Sequence, residues 1–311
     1  MPWRTESRPA DVGDRPPVGK VVWLPDGRRL GYIEYGNPYG APIFFFHGFG
    51  STRLIRHPDE SIPAALGLRI ISVDRPGIGL SDPQAGRRLV DWPRDVAAFA
   101  DALAIDRFAV VGWSGGGPYA LACARALPAR VTAAGVISGP APLLHERSSE
   151  YLNRRHRGAA RVAYRAPWLL RVAIWNWGRP NRRDPVMAFD SAVEGMVASD
   201  RLLMADPRLR EIMIENASEV YRQGGRGMYD EGRILAGRWG FRPEEIRIPV
   251  HLWHGVLDDT VPEEMGRHVA SLIPGCQAAF YPGEGHHLLY HRWREILSQL
   301  SATSAGRIAE G

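Results

Sequence analysis

The sequence is poor in lysine and cysteine and has no long apolar run. Lys20 is the only lysine, so arginine supplies 38 of the 39 basic residues. Cys123 and Cys276 are the only cysteines, and their distance along the chain excludes a disulfide framework or a cysteine-based metal site. No segment approaches the roughly 18 apolar residues of a membrane span, and the N-terminus lacks the apolar stretch of a secretory signal. We therefore expect a cytoplasmic, globular protein.

Short apolar runs typical of buried strands alternate with amphipathic stretches typical of helices. The strand-like runs are APIFFF, RIISV, RFAVV, VTAAGVI, IPVHLW and QAAFYP, and the helix-like stretches are 89–103, 115–127, 263–273 and 287–300. This alternation predicts an α/β fold with a mostly parallel, doubly wound sheet and helices on both faces. Near the start, VGKVVWL-PDG-RRLGYIEYG predicts a β-hairpin that adds antiparallel edge strands.

The alternation stops near residue 140 and resumes about a hundred residues later. Residues 141–240 have a helical pattern and predict a helical lid inserted over one end of the sheet; we call this segment the insertion. The predicted core is then 18–140 and 241–302, with flexible tails at 1–17 and 303–311. No linker separates independently folding domains, and 311 residues suit one large domain with an insertion.

The motif that carries chemistry is GWSGGG at 112–117, a G-x-S-x-G match between a strand-like and a helix-like run. Glycines on both sides let the chain turn sharply enough to expose Ser114, because a Cβ there would collide with the strand or the helix. The following helix points its N-terminal amides at the site, where negative charge would develop. The absence of a lysine after the glycines excludes a P-loop, and an ordinary glycine-rich turn is the alternative.

A serine hydroxyl becomes a good nucleophile only with a base and a carboxylate that orients the base. His286, in YPGEGHHLL, follows the last strand, and Asp258, in LWHGVLDDTVP, follows the strand before it. In a parallel sheet both would lie at the same edge as Ser114. Asp259 is the adjacent alternative to Asp258, and His287, the alternative to His286, is expected to face away or to cap the last helix.

Several motifs taken together resemble the α/β-hydrolase superfamily. They are FFFHGFGS (44–51), DRPGIGLSD (74–82), GWSGGG, HGVLDDTVP (254–262) and GEGH (283–286). The resemblance implies the α/β-hydrolase fold, with Ser114 as nucleophile, Asp258 as the acid and His286 as the base, in the expected chain order. It also implies an oxyanion hole formed by the amides of Phe49 and Gly115. No metal and no organic cofactor is implied.

The resemblance implies a serine hydrolase that cleaves an ester-type acyl bond through an acyl-enzyme. A carboxylesterase or lactonase on a small apolar substrate is the first interpretation. The alternatives are a thioesterase or C–C bond hydrolase, and a ligand-binding protein of this fold with little turnover. Haloalkane dehalogenases and epoxide hydrolases of this fold carry aspartate at the nucleophile position. This chain carries Ser114 there, which argues against dehalogenation and epoxide hydrolysis. Four further polar residues of the motifs are predicted to hold loops: His47, Arg75, Asp82 and His254.

The insertion is rich in tryptophan and arginine. Trp168, Trp175 and Trp177 have helical spacing, which usually indicates a core; the alternative is an apolar wall that, with Trp113, contacts the substrate. Residues 147–183 hold ten arginines and one acid. This patch predicts either a solvated face or a surface for an anionic substrate or an acidic carrier, such as a coenzyme A or acyl-carrier thioester. No motif accompanies the charge that would indicate a nucleic-acid partner.

Overall fold

The structure, a computed structural model, describes residues 18–143, 158, 161 and 164–309. The predicted N-terminal tail, the last two residues and part of the arginine-rich stretch lie outside the described residues. Among the helices of the described residues, none has the length and apolar character needed to cross a membrane.

Eight described strands form a single sheet. They are β1 (Lys20–Trp23), β2 (Arg29–Gly36), β3 (Ala41–Phe46), β4 (Leu68–Val73), β5 (Phe108–Trp113), β6 (Val131–Ile137), β7 (Val250–Gly255) and β8 (Gln277–Tyr281). Their order across the sheet is β1-β2-β4-β3-β5-β6-β7-β8. The pairs β1–β2 and β2–β4 are antiparallel, and all others are parallel. The prediction of a mostly parallel sheet with an antiparallel hairpin at its edge is confirmed.

Helices cover both faces of this sheet. Before the insertion lie α1 (Ser61–Ala65), α2 (Trp92–Ala102) and α3 (Gly117–Ala126). The insertion holds α4 (Pro167–Arg183), α5 (Pro185–Glu194), α6 (Ala198–Met204), α7 (Pro207–Glu219) and α8 (Arg226–Ala236). After it come α9 (Glu263–Leu272) and α10 (Leu289–Ala309).

Strand β3 shows why its apolar run is continuous. Phe44 and Phe46 pack against α2 and α3 on one face, whereas Phe45 meets Trp293 of α10 on the other. Side chains alternate between faces along a strand, so a strand buried on both faces has no polar positions.

The predicted C-terminal tail is wrong, because α10 continues to Ala309. The segment LSQLSATSAGR is too polar to predict a packed helix from periodicity alone. In the structure, Ser304 is buried and its hydroxyl lies 2.6 Å from that of Thr132 on β6. Arg107 donates to the carbonyl of Arg307 at 3.0 Å. These polar contacts hold the last turns of the helix against the sheet.

Candidate active site

The carboxyl ends of the central strands meet at one edge of the sheet, and the candidate residues lie in the loops that follow them. Phe46, Gly112 and Trp113 end their strands side by side, as the register pairs Phe46 with Gly112 and Trp113 with Ile137. Phe49 follows β3 and Ser114 follows β5, while Asp258 and His286 follow β7 and β8. The parallel order of strands therefore gathers residues separated by more than two hundred positions.

Ser114 occupies a strained turn between β5 and α3. Its φ is +52°, in the left-handed region that non-glycine residues rarely adopt. A Cβ on Gly112 would lie 2.2 Å from the carbonyl oxygen of Gly116, and a Cβ on Gly116 would lie 2.0 Å from that of Phe46. Glycine is therefore required on both sides of the serine, as the motif predicted.

The two predicted oxyanion donors lie next to each other. The amide nitrogen of Phe49 is 2.9 Å from the position that a Cβ on Gly115 would occupy. Gly115 also lies against Leu235 of α8, where the same Cβ would be 3.0 Å from a methyl carbon. The loop after β3 and the turn after β5 thus contact each other at Phe49 and Gly115, with the insertion against one side. The oxyanion role of the two amides stays a prediction.

His47 and Arg75 hold the loop that carries Phe49. The Nδ1–H of His47 donates to the carbonyl of Gly48 at 2.9 Å, and its Nε2 accepts from the amide of Arg75 at 3.4 Å. The Arg75 guanidinium donates to the carbonyls of His47 at 2.6 Å and Gly48 at 3.1 Å. Burial, together with the charge of Arg75, places the pKa of His47 well below its usual value. His47 is thus a neutral hydrogen-bonding group of the loop, as predicted.

A carboxylate of the insertion completes this buried cluster. Glu231 of α8 accepts from Arg75 Nε at 2.7 Å and from the Tyr119 hydroxyl at 2.8 Å, and it also pairs with Arg87. Burial alone would raise the pKa of the Glu231 carboxyl, but the two guanidiniums outweigh it and hold the pKa far below its usual value. Sequence reasoning missed Glu231, because its partners lie more than a hundred residues away.

Asp258 and His286 form a buried pair. The Nδ1–H of His286 donates to Asp258 Oδ2 at 2.8 Å, while Oδ1 accepts from the amides of Thr260 at 3.0 Å and Val261 at 2.8 Å. This tautomer leaves Nε2 of His286 free to accept a proton. Asp259 is exposed, so the structure favours Asp258 over its neighbour.

The environment of Asp258 keeps its carboxyl ionised. Burial raises the pKa of this carboxyl, but His286 and His254 lower it by more, so the net pKa is well below its usual value. His254 is fully buried, donates from Nε2 to the carbonyl of Val261 at 2.8 Å and lies 3.5 Å from Asp258 Oδ2. It therefore supports the loop after β7, in agreement with its predicted structural role.

Trp113 links the serine turn to the histidine loop. Its indole N–H donates to the carbonyl of His286 at 3.1 Å, and its ring lies 5.5 Å from the His286 imidazole, centroid to centroid.

Within the described residues, no hydrogen bond joins the Ser114 hydroxyl to His286. Hydrogen bonds of this kind are often long in proteins without substrate and tighten when substrate binds. The catalytic assignment of the three residues stays a prediction.

His287 was predicted to face away or to cap the last helix, and the structure shows that it does not face away. It is packed beside Trp113, 5.3 Å between ring centroids, and its Nδ1–H donates to Asp200 of α6 at 3.1 Å. Asp200 also accepts from the backbone amides of His286 and His287, at 3.0 and 3.2 Å. Nothing in the sequence around Asp200 indicated this contact, because the packing of the insertion on the core creates it.

The tryptophans of α4 occupy different surroundings. Trp177 stacks on Phe49 with ring centroids 5.8 Å apart and planes 14° from parallel. All three side chains are partly exposed, Trp168 at 65%, Trp175 at 41% and Trp177 at 50%, and Arg179 covers the Trp175 ring at 4.4 Å. The structure thus brings Trp177 to the predicted oxyanion loop. The predicted contact of these tryptophans with substrate stays a prediction.

Among the residues that the structure describes, no group of three or more histidine, cysteine or acidic side chains could hold a metal ion. Cys123 is buried, and burial raises the pKa of its thiol well above the usual value.

Known proteins similar to this chain share its fold and parts of its sequence. A family model described as "Alpha/beta hydrolase family" matches residues 43–299. A non-heme chloroperoxidase of Streptomyces lividans is 34% identical over 126 residues, which cover 40% of this chain and 46% of the relative. A pimeloyl-[acyl-carrier protein] methyl ester esterase of Legionella pneumophila is 39% identical over 99 residues, covering 32% of this chain and 37% of the relative. The matched part is thus less than half the length of either relative. Among solved structures, the enol-lactonase of Burkholderia xenovorans superposes with a TM-score of 0.67 at 17% identity, over 91% of this chain and 99% of that one.

Proposed function

This chain belongs to the alpha/beta hydrolase family, and from that premise we propose that it is a serine hydrolase that cleaves an ester-type acyl bond. The observation that carries the proposal is the buried hydrogen bond, 2.8 Å long, between His286 Nδ1 and Asp258. It fixes the tautomer in which His286 Nε2 can act as a base, at the edge of the sheet where the strained turn presents Ser114.

In the proposed reaction, His286 Nε2 takes the hydroxyl proton as Ser114 Oγ attacks the acyl carbon. Ionised Asp258 stabilises the imidazolium. The tetrahedral oxyanion binds the amides of Phe49 and Gly115, and the loss of one such donor typically costs about 3–4 kcal/mol. His286 then returns the proton to the leaving oxygen. Water, deprotonated by His286, attacks the acyl-enzyme and releases the acid and the free serine.

The walls of the site support a small apolar acyl substrate. Trp177 stacks on Phe49, and Leu235 lies against Gly115. These side chains bring aromatic and aliphatic surface up to the proposed oxyanion donors. An apolar wall with a few directed polar groups is typical of small-molecule sites. Carboxylic esters and lactones both suit this arrangement.

Labelling with a fluorophosphonate tests the nucleophile directly. We expect mass spectrometry to locate the adduct on Ser114, and Ser114→Ala to lose both labelling and hydrolysis of p-nitrophenyl acetate. Ser271→Ala is the matched control, because this serine lies on α9 and bonds only its own helix, at His268 O. An adduct on another residue would overturn the site. Labelling without measurable turnover of any ester would favour the ligand-binding alternative.

A second candidate function is a thioesterase for an anionic acyl carrier. Helix α4 carries four arginines and no acid over its length, and one relative acts on an ester of an acyl-carrier protein. Such a charge would attract an acidic partner and would be screened by salt. A rise in KM with salt for acyl-CoA, with no such rise for neutral esters, would support this candidate. Equal salt dependence for both substrates would reject it.

A further inference from the structure

One carboxylate of the insertion contacts the loop that carries His286, the candidate base. Asp200 of α6 is 2% exposed. Its Oδ2 accepts from the amide of His286 at 3.0 Å and from His287 Nδ1 at 3.1 Å, and its Oδ1 accepts from the amide of His287 at 3.2 Å. A Cβ on Gly285 would lie 2.6 Å from Oδ1, so the carboxylate is in close contact with three consecutive residues.

Asp200 is an anion in this position. Burial raises the pKa of its carboxyl, but the hydrogen bonds from His287 and from the two amides lower this pKa by more. The net pKa therefore lies below its usual value. Burial also lowers the pKa of His287, although Asp200 opposes this change. The pair at neutral pH is therefore a carboxylate that accepts from a neutral imidazole.

We infer that Asp200 is a positioning residue that fixes the main chain of His286 and adds negative charge behind its imidazole. This inference rests on the proposed function, because it concerns the same base. Asp258 holds the ring of His286 from the Nδ1 side, whereas Asp200 holds its backbone amide. Two carboxylates, one from the core and one from the insertion, would thus orient one imidazole and stabilise its protonated form in the transition state.

Asparagine cannot replace Asp200 without the loss of a hydrogen bond to the loop. Both carboxylate oxygens accept from N–H groups, so the amide nitrogen of asparagine would face a donor in either orientation. We expect Asp200→Asn to lower kcat on p-nitrophenyl acetate about tenfold, since small misplacements of a reacting group are costly. KM should change less than twofold, because Asp200 contacts the loop and not the substrate pocket.

The pH profile separates positioning from a general structural role. Removal of a negative charge disfavours the imidazolium, so the acidic limb of kcat/KM should move about 0.5 pH unit to lower pH in Asp200→Asn. Asp200→Glu, which keeps the charge, should lower kcat without moving the limb. The titratable and charged groups that face this loop are Asp258 and His254 from the β7 side, His287 and Glu284 from the loop itself, and His291 and Arg292 from α10.

Asp190→Asn is the matched control. Asp190 lies in the same insertion and pairs with Arg210 at 2.8 Å, but its side chain is exposed. We expect it to change neither kcat nor the pH profile. A reduction in kcat of the same size in both variants would overturn the inference, as would Asp200→Asn with wild-type kcat and an unmoved acidic limb.

Hydrogen exchange of the wild-type protein tests the inference without any variant or turnover. The amides of His286 and His287 should exchange slowly, because their acceptor is a buried carboxylate. Exchange as fast as that of the amide of Asp259, an exposed residue, would refute the contact. If Ser114 is not labelled by fluorophosphonate while these amides are protected, the proposed function fails and the contact with Asp200 stands.

Discussion

Replacing Glu231 with glutamine removes a carboxylate that lies between two buried guanidiniums. The side chains of Arg75, Arg87 and Glu231 are 0%, 2% and 1% exposed. Removal of one partner from a buried ion pair typically costs about 3–5 kcal/mol, because the other charge is left unpaired. For a chain of 311 residues, with an unfolding entropy of about 2.1 cal/mol/K per residue, that corresponds to a fall in Tm of roughly 5–8 °C. Thermal unfolding followed by circular dichroism measures it.

The pH dependence of this loss follows from the lowered pKa of Glu231. A carboxyl with a folded-state pKa below its unfolded value of 4.5 contributes stability that is complete above that value and is lost as the pH falls. Glutamine does not titrate. The free-energy difference between wild type and Glu231→Gln should therefore be largest at pH 7 and shrink by about 1.4 kcal/mol per pH unit below 4.5.

Glu245→Gln is the control for this experiment. Glu245 pairs with Arg125 at 3.0 Å on the surface, where both side chains are about half exposed, so its loss should cost less than about 1 kcal/mol. Glu231→Gln should also lower kcat, because Arg75 holds the carbonyls next to Phe49. A variant at position 231 that is as stable as the one at 245, at pH 7, would refute the reasoning.

Three further predictions concern the site itself. Asp258→Asn should lower kcat/KM for p-nitrophenyl acetate by about 10³–10⁴, since it favours the wrong imidazole tautomer, whereas Asp259→Asn should leave it within twofold. Gly116→Ala should lower the free energy of unfolding, measured in urea, by about 3 kcal/mol, because the new Cβ would lie 2.0 Å from a backbone oxygen. Gly283 has open space around it, so Gly283→Ala should leave the free energy of unfolding unchanged. Equal effects of the two substitutions would contradict the argument. Trp177→Ala should raise KM for aryl esters with little change in kcat, and an unchanged KM would show that its ring does not contact substrate.

The fold was predictable wherever burial left a regular pattern. The last four residues of APIFFF are apolar because β3 is buried there on both faces, and its predicted bounds, 41–46, are those observed. The glycines around Ser114 were equally informative, since the turn admits no Cβ at positions 112 and 116. Periodicity failed at the end of α10, where hydroxyl and carbonyl contacts replace apolar packing.

The supporting residues of the site could not be predicted in the same way. Asp200 and Glu231 are ordinary acids in polar helices of the insertion, and no local pattern marks them. Their partners come from loops 86 and 156 residues away, so their roles depend on how the insertion packs on the sheet. A sequence motif identifies the residues of one turn, but it does not indicate which distant side chain supports that turn.

The buried arginine at position 53 ties three parts of the molecule together. Its guanidinium donates to Asp74 of the core and Glu219 of the insertion, each at 2.7 Å, and to the carbonyl of Val18 near the start of the described chain. A hinge motion that swung the insertion away would remove Glu219 from Arg53 and the shared Glu231 from Arg75 and Arg87. Loss of one partner from a buried ion pair typically costs about 3–5 kcal/mol. We therefore expect substrate to enter through gaps between side chains, and a covalent cross-link from insertion to core to leave the turnover rate unchanged.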